Sequence, residues 1–164
     1  MNRSAPRSVL IALGSNLGDR LVNLRVAVDR LGAVVRVVRL SAVWETEPVD
    51  APRGSGPFLN MVAAGWTRER AEDLLESMLR IETVMGRVRR ERNEPRIIDL
   101  DLILYGAAVS DHRSLRLPHP GYRQRAFVLD PLRELRLPWV DPQTGERLAT
   151  LRADGGEIRK RALY

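Results

Sequence analysis

Residues 95–105 read Pro95-Arg96-Ile97-Ile98-Asp99-Leu100-Asp101-Leu102-Ile103-Leu104-Tyr105. Aliphatic residues at 98, 100, 102 and 104 alternate with Asp99 and Asp101, which is the period of a strand. The spacing predicts a strand over Ile97 to Tyr105, with Ile98, Leu100, Leu102 and Leu104 on one face and both carboxylates on the other. At a rise of roughly 3.3 Å per residue, same-face neighbours start about 7 Å apart. Aspartate is disfavoured in strands and like charges repel, so the pair is best tolerated with a cation between its members. Magnesium suits such a sparse set, because it takes one or two carboxylates and completes its shell with phosphate oxygens and water.

Immediately upstream, Gly86-Arg87-Val88-Arg89-Arg90-Glu91-Arg92-Asn93-Glu94-Pro95-Arg96 places five arginines before the carboxylates. Planar guanidinium forks match phosphate geometry and stabilise charge on a group in transfer. A lone Asp-x-Asp is more often a solvated edge strand, and a lone basic run a solvated loop. Their adjacency points to a metal site beside a triphosphate clamp, and so to phosphoryl transfer.

Working outward, Val9 to Leu13 is a short apolar run ending at Gly14. Leu21, Leu24, Val28 and Leu31 follow at helical spacing between a cap at Asp19 and Gly32. Val34 to Val43 reads as a second strand and Phe58 to Trp66 as a third, its antiparallel partner. Ala71, Leu74, Leu75, Met78, Ile81 and Met85 mark an amphipathic helix that stops at Gly86. A short helix is expected around Arg123 to Leu132, followed by a looser tail. The order β, α, β, β, α, β predicts an α+β, ferredoxin-like βαββαβ fold: an antiparallel four-stranded core sheet, helices on one face, extra C-terminal elements, and the other face free for a site.

At 164 residues, with 44% hydrophobic and 29% charged residues, the chain fits one domain spanning residues 1–164. Without cysteine it has no disulfide and no thiolate ligand, so a metal must be held by oxygen or imidazole. The apolar run near the N-terminus is too short for a signal sequence or membrane span, which predicts a cytoplasmic protein. The net charge of +6 suits an anionic partner. Against an RNA-binding sheet, the main rival from another class, stands the low aromatic content of 5%, with no strand carrying paired exposed rings. A metal-dependent nucleotidyltransferase, which attacks the α-phosphorus instead, is the second rival.

Gly14-Ser15-Asn16-Leu17-Gly18 lacks the lysine of a P-loop and the spacing of a dinucleotide fingerprint, so it reads first as a tight strand-to-helix turn. Thr46 in Glu45-Thr46-Glu47-Pro48-Val49 and Asn60 in Phe58-Leu59-Asn60 flank a loop with Gly54 and Gly56. A threonine, an asparagine and an aromatic ring can together read the edge and face of a flat heterocycle. His119 sits in the rigid turn Leu117-Pro118-His119-Pro120, whereas His112 lies among charged residues and reads as surface.

Taken in order, Ala12 to Asp19, Glu45-Thr46-Glu47-Pro48, Phe58-Leu59-Asn60, Glu82 with Gly86-Arg87-Val88-Arg89, Pro95 to Asp101, Leu117 to Pro120 and Arg125-Ala126-Phe127-Val128-Leu129 resemble the hydroxymethyl-dihydropterin pyrophosphokinases of folate synthesis. The resemblance spans nearly the whole chain. It implies two Mg2+ ions bridging Asp99, Asp101 and the ATP phosphates, with the substrate hydroxymethyl oxygen attacking the β-phosphorus and AMP leaving. Arg87 and Arg96 would then be catalytic with the two aspartates. Arg87, Arg89, Arg92, Arg96, Ile98, His119 and Arg125 would hold ATP, Arg89 and Arg92 from a lid, and Glu82 would line the cavity. The pterin would lie between Phe58 and Phe127, meet Thr46 and the Val49 backbone at its edge, and bond Asn60. Asn93 stands where many relatives have tryptophan, so the resemblance does not extend to an aromatic lid. It implies small-molecule substrates, no nucleic acid or membrane partner, and a functional association with neighbouring folate-pathway enzymes.

Overall fold

The computed structural model describes residues 5–47, 56–87 and 94–153, and the backbone of 158–160. In chain order the elements are β1 (Arg7–Ser15), α1 (Arg20–Leu31), β2 (Arg36–Leu40), β3 (Trp44–Thr46), β4 (Phe58–Thr67), α2 (Ala71–Val84), β5 (Asp99–Tyr105), β6 (Ser110–His112), β7 (Leu115–Leu117), α3 (Ala126–Glu134) and β8 (Ile158–Lys160). Single 3-10 turns occur at Tyr122–Gln124 and Leu148–Thr150.

The unbroken apolar run of β1 demands burial on both faces, and β1 lies inside the sheet between β4 and β5. The core order is β2-β4-β1-β5, all antiparallel, with β3 continuing along β4 beyond β2 and β8 adding to β3. This is the ferredoxin-like plan the element order predicts. One face, with Val9, Ile11, Leu13, Met61 and Ala63, packs against Leu24, Ala27 and Leu31 of α1 and Leu74 and Met78 of α2. The helix signals acted as expected: Asp19 Oδ1 accepts from the Val22 N–H at 3.1 Å, and Gly86 after α2 takes φ +93°, a conformation that favours glycine.

Three expectations need correction. The second strand is shorter than Val34 to Val43, spanning Arg36–Leu40, and a separate short strand, β3, follows at Trp44–Thr46. Ser41 donates its N–H to the Val62 carbonyl, and its hydroxyl, not a backbone carbonyl, accepts from the Val62 N–H at 2.9 Å, so a side chain takes over one rung of the ladder. A register shift between Val37 and Arg39 adds to the break.

The stripe on β5 also changes face. Leu10 pairs with Leu104 and Ile11 with Leu102, so Ile103 is the extra residue of a bulge. Ile98, Leu100 and Leu102 face the helices, but Leu104 joins Leu10, Ala12, Val62 and Ala64 on the second face.

Nor is that second face wholly free. Val128, Leu129 and Leu132 of α3, with Leu135, Leu148 and Leu151, cover one end of it. The C-terminal segment is ordered by its own hydrogen bonds, Leu148 N–H to Trp139 O at 3.0 Å and Asp141 N–H to Glu146 O at 2.8 Å. The expected helix starts later, at Ala126, because Tyr122–Gln124 form the 3-10 turn and Arg125 is extended. Among the described residues no helix is long and apolar enough to cross a membrane.

Candidate active site

The open end of the second face gathers the groups singled out in the sequence. Gly14 pairs with both Asn60 of β4 and Asp99 of β5, and Ala12 with Asp101, so these side chains stand on one face in register. Asp99 and Asp101 are only part exposed, at 27% and 30%. Burial pushes the Asp101 carboxyl above its ordinary value, and the neighbouring Asp99 charge adds to that, against the pull of His119, Arg125 and Arg87.

Each carboxylate is bracketed by basic groups, Asp99 by two guanidinium groups and Asp101 by one guanidinium and an imidazole. Arg87 follows the Gly86 turn, and its Nη1 donates to Asp99 Oδ1 at 2.5 Å and to Glu82 Oε1 at 2.6 Å. Glu82 is buried, and its Oε1 also accepts the Leu100 N–H at 2.8 Å. It therefore ties α2 to β5 and steadies Arg87 from behind. Arg96 Nε lies 3.6 Å from Asp99 Oδ2, and its guanidinium sits over the Phe58 ring, 5.5 Å from the centroid. On the other side Arg125 Nη1 donates to Asp101 Oδ2 at 3.3 Å and lies over the Phe127 ring at 5.7 Å. His119 Nε2 is 3.8 Å from Asp101 Oδ1, and burial lowers the imidazole's proton affinity despite that carboxylate. The two chains of contact, Phe58–Arg96–Asp99 and Phe127–Arg125–Asp101, join each aromatic ring to one acid.

The polar floor beside Phe58 is short-range and tight. Asn60 Nδ2 donates to Thr46 Oγ1 at 2.7 Å, both residues being buried. A Cβ on Gly14 would stand 3.0 Å from Asn60 Oδ1 and 3.6 Å from Phe58 Cδ1, so only glycine leaves that surface undisturbed.

Among the predicted residues, Thr46, Phe58, Asn60, Arg87, Arg96, Asp99, Asp101, His119, Arg125 and Phe127 share this end of the molecule, with Glu82 one layer behind. Ile98 is the exception: its side chain is fully buried against the helices, so only its backbone can meet a nucleotide. Val49, Arg89, Arg92 and Asn93 lie outside the described residues, as does most of the glycine-containing loop. Two contributors escaped sequence reasoning. Asn16 exchanges hydrogen bonds with Arg96, Asn16 N–H to Arg96 O at 3.2 Å and Arg96 N–H to Asn16 Oδ1 at 2.7 Å, so the glycine turn locates the arginine. Arg20 binds Glu45 at 3.0 Å and the Pro57 carbonyl at 2.7 Å, fixing the chain that enters Phe58. The first lay within a motif already noticed, and the second had no local signal.

The donor set at the acids is all oxygen, and among the described residues no third His, Cys, Asp or Glu joins them into a closed metal cage. Two carboxylates on one face, open to incoming phosphates and water, fit magnesium better than a softer ion. A cavity of about 850 Å³ lies at the opposite end of β1 and β4, lined by Pro6, Val34, Trp66 and Arg68 among others. It contains none of these groups, and the chemistry marks the site better than volume does.

Comparison with known proteins agrees with this geometry. Residues 10–137 match the family model described as 7,8-dihydro-6-hydroxymethylpterin-pyrophosphokinase (HPPK). The chain is 46% identical over 128 residues to the 2-amino-4-hydroxy-6-hydroxymethyldihydropteridine pyrophosphokinase of Methylorubrum extorquens, covering 76% of this chain and 80% of that protein. It is 35% identical over 147 residues to the folic acid synthesis protein fol1 of Pneumocystis carinii, covering 87% of this chain but 19% of that longer one. The solved structure of Plasmodium falciparum HPPK-DHPS, wild type with pterin and p-hydroxybenzoate, superposes with a TM-score of 0.70 at 12% identity, over 92% of this chain and 42% of that one. At that identity the likeness is one of fold.

Proposed function

The chain belongs to the 7,8-dihydro-6-hydroxymethylpterin-pyrophosphokinase family, and on that premise we propose how the parts of its site divide the work. The enzyme transfers a pyrophosphoryl group from ATP to the hydroxymethyl group of 6-hydroxymethyl-7,8-dihydropterin in folate biosynthesis. The hydroxymethyl oxygen bonds to the β-phosphorus as the bond from that phosphorus to the oxygen of the α-phosphate breaks, and AMP departs.

Asp99 and Asp101 are assigned as the residues that would hold two magnesium ions beside the ATP phosphates. The metal supplies charge neutralisation at the transferring group when bound. Arg87, Arg96 and Arg125 hold the triphosphate and stabilise the charge that grows on it, which is most of what phosphoryl transfer asks of a protein. They are placed to do so because each already lies against one of the two acids. His119 belongs with Arg125 on the nucleotide side, and the Ile98 backbone is assigned there as well. Arg89 and Arg92 are assigned to a lid from the sequence resemblance alone. Phe58 and Phe127 are assigned to the faces of the pterin, Asn60, Thr46 and the Val49 backbone to its edge, and Glu82 to the support of Arg87.

The single observation that carries this division is the pair of same-face carboxylates, each in contact with one guanidinium group that also overlies an aromatic ring, Arg96 at Asp99 and Arg125 at Asp101. Residues 1–164 are taken as one catalytic unit, since α3 and the segment after it pack on the same sheet as the site. ATP use argues for the cytoplasm, and relatives named as fol1 and HPPK-DHPS argue for working beside other folate-pathway enzymes. The test is incubation with ATP, magnesium and the pterin alcohol. AMP should form only when pterin is present, and chelation of magnesium should stop it. ADP in place of AMP, or pyrophosphate release, overturns the assignment.

A further inference from the structure

Tyr122 and Asp141 are buried polar residues that the reaction does not use. Tyr122 lies within the apolar cluster beneath α3, and its phenol donates to Asp141 Oδ2. Asp141 is itself fully buried. The same carboxylate accepts from Arg123 Nε at 2.6 Å and from the N–H groups of Gln143 at 2.7 Å and Thr144 at 3.2 Å. Arg123 Nη2 goes on to Gln143 Oε1 at 3.0 Å. A hydrophobic residue would fill such a place at lower desolvation cost, so a carboxylate with four donors suits holding geometry better than adding stability.

The geometry held is that of the segment joining β7 to α3. It carries both residues that reach Asp101, His119 before the lock and Arg125 after it. The backbone couples them to Tyr122: the Tyr122 N–H donates to His119 O at 3.3 Å and the Arg125 N–H to Tyr122 O at 3.2 Å. The Arg125 carbonyl in turn accepts from Val128 and Leu129 at the start of α3. Fixing the Tyr122 ring therefore fixes the spacing of the imidazole and the guanidinium on either side.

We propose that Asp141 and Tyr122 are positioning residues for the nucleotide half of the site, a lock through which the C-terminal turn at 141–146 sets His119 and Arg125 against Asp101. The inference rests on the assignment of those two residues to ATP. Among the described residues nothing comparable links the lock to Thr46 and Asn60, whose contacts lie on β3 and β4.

The experiment is steady-state kinetics with thermal melting on Tyr122→Phe, Asp141→Asn, Leu148→Ala and Arg125→Ala. Tyr122→Phe removes one oxygen and keeps the packing. In both lock variants the KM for ATP should rise about fivefold or more and kcat should fall, with the pterin KM moving by less than about twofold. Leu148→Ala loosens the same apolar cluster without touching the lock, and should lower the melting temperature at least as much while leaving the ATP KM alone. If Asp141→Asn fails to fold, Tyr122→Phe decides. Wild-type kinetics in the lock variants despite a lower melting temperature would overturn the proposal, as would an equal rise in ATP KM for Leu148→Ala. Should Arg125→Ala also leave ATP kinetics unmoved, the nucleotide assignment itself fails and the proposal falls with it. Should Arg125→Ala raise the ATP KM while the lock variants do not, only the positioning role is lost.

Discussion

Along one face of one sheet, the same three strands build two different places. At one end Leu10, Val62, Ala64 and Ile103 lie beneath Val128, Leu129 and Leu132 of α3. A few residues further along, Gly14, Asn60 and Asp99 meet in register, and among the described residues no helix covers them. Strand geometry does not change between the ends; side-chain chemistry does. Aliphatic surface draws a cover because burial releases it from water, whereas the part-exposed carboxylates would be stripped of solvent by the same cover at considerable cost. Where the cover stops is thus set by the composition of the strands beneath it, with the Ala12–Asp101 pair at the boundary.

The largest effects should come from the open end. Asp99→Asn and Asp101→Asn each remove a charge that the proposed division assigns to magnesium, and kcat/KM should fall by about 10³-fold, on the scale of several kcal/mol of transition-state stabilisation. Thermal stability should hold, since both carboxylates keep partial exposure. AMP production under saturating magnesium, alongside a melt, makes the check. Turnover near wild type in either variant would remove the division between a catalytic end and a covered one.

At the covered end the signature should reverse. Leu129→Ala opens a cavity beneath α3 in a fully buried position, and a loss of about 2–5 kcal/mol of folding stability is expected. Both KM values of the folded fraction should stay at wild type. Denaturant unfolding with kinetics at low temperature tests this. A selective rise in either KM would mean that apolar packing beneath α3, and not the Tyr122–Asp141 contact alone, sets the open end.

Much of this was legible in the sequence, and what was not has identifiable physical causes. Period and capping located α1, α2 and the four core strands β1, β2, β4 and β5, because the side chains that set them are local. The acids on β5 and the arginines around them were found for the same reason: alternation puts Asp99 and Asp101 on one face whatever the rest of the chain does. Periodicity failed where a long-range contact replaced a local rule. Ser41 substitutes its hydroxyl for a backbone acceptor, the bulge at Ile103 turns Leu104 over, and Leu148 and Leu151 cover a face that the βαββαβ plan leaves bare. The support of the site was hidden likewise: Asn16 reaches Arg96 across 80 positions and Asp141 reaches Tyr122 across 19.

A smaller and more local effect is expected at Gly14, where the open floor begins. With Asn60 Oδ1 at 3.0 Å from the added methyl, Gly14→Ala must push the amide away and weaken its 2.7 Å bond to Thr46. The pterin KM should rise about tenfold, equivalent to about 1.4 kcal/mol, while the ATP KM stays within about twofold. Isothermal titration with each substrate separates the two, and an equal loss for both would show that the floor is not specific to the pterin side.

The smallest effect is the pH dependence of the covered end. Burial works to raise the Asp141 carboxyl, but the Tyr122 phenol, the Arg123 guanidinium and the N–H groups of Gln143 and Thr144 outweigh it and hold the group below the ordinary carboxylate range. A depressed folded value means that its contribution is complete above the unfolded pKa of about 3.9 and is lost as pH falls through the lower folded value. Tyr122 runs the other way. Burial and the Asp141 charge raise its phenol, so its contribution is complete below about 10 and disappears as pH climbs beyond that. Melting temperature followed from pH 7 downward should therefore fall more steeply in the wild type than in Asp141→Asn once about pH 4 is passed, because only the wild type has this carboxylate to protonate. Parallel acid limbs would mean that the buried charge is not held by the lock, and that the covered end draws its stability from apolar packing alone.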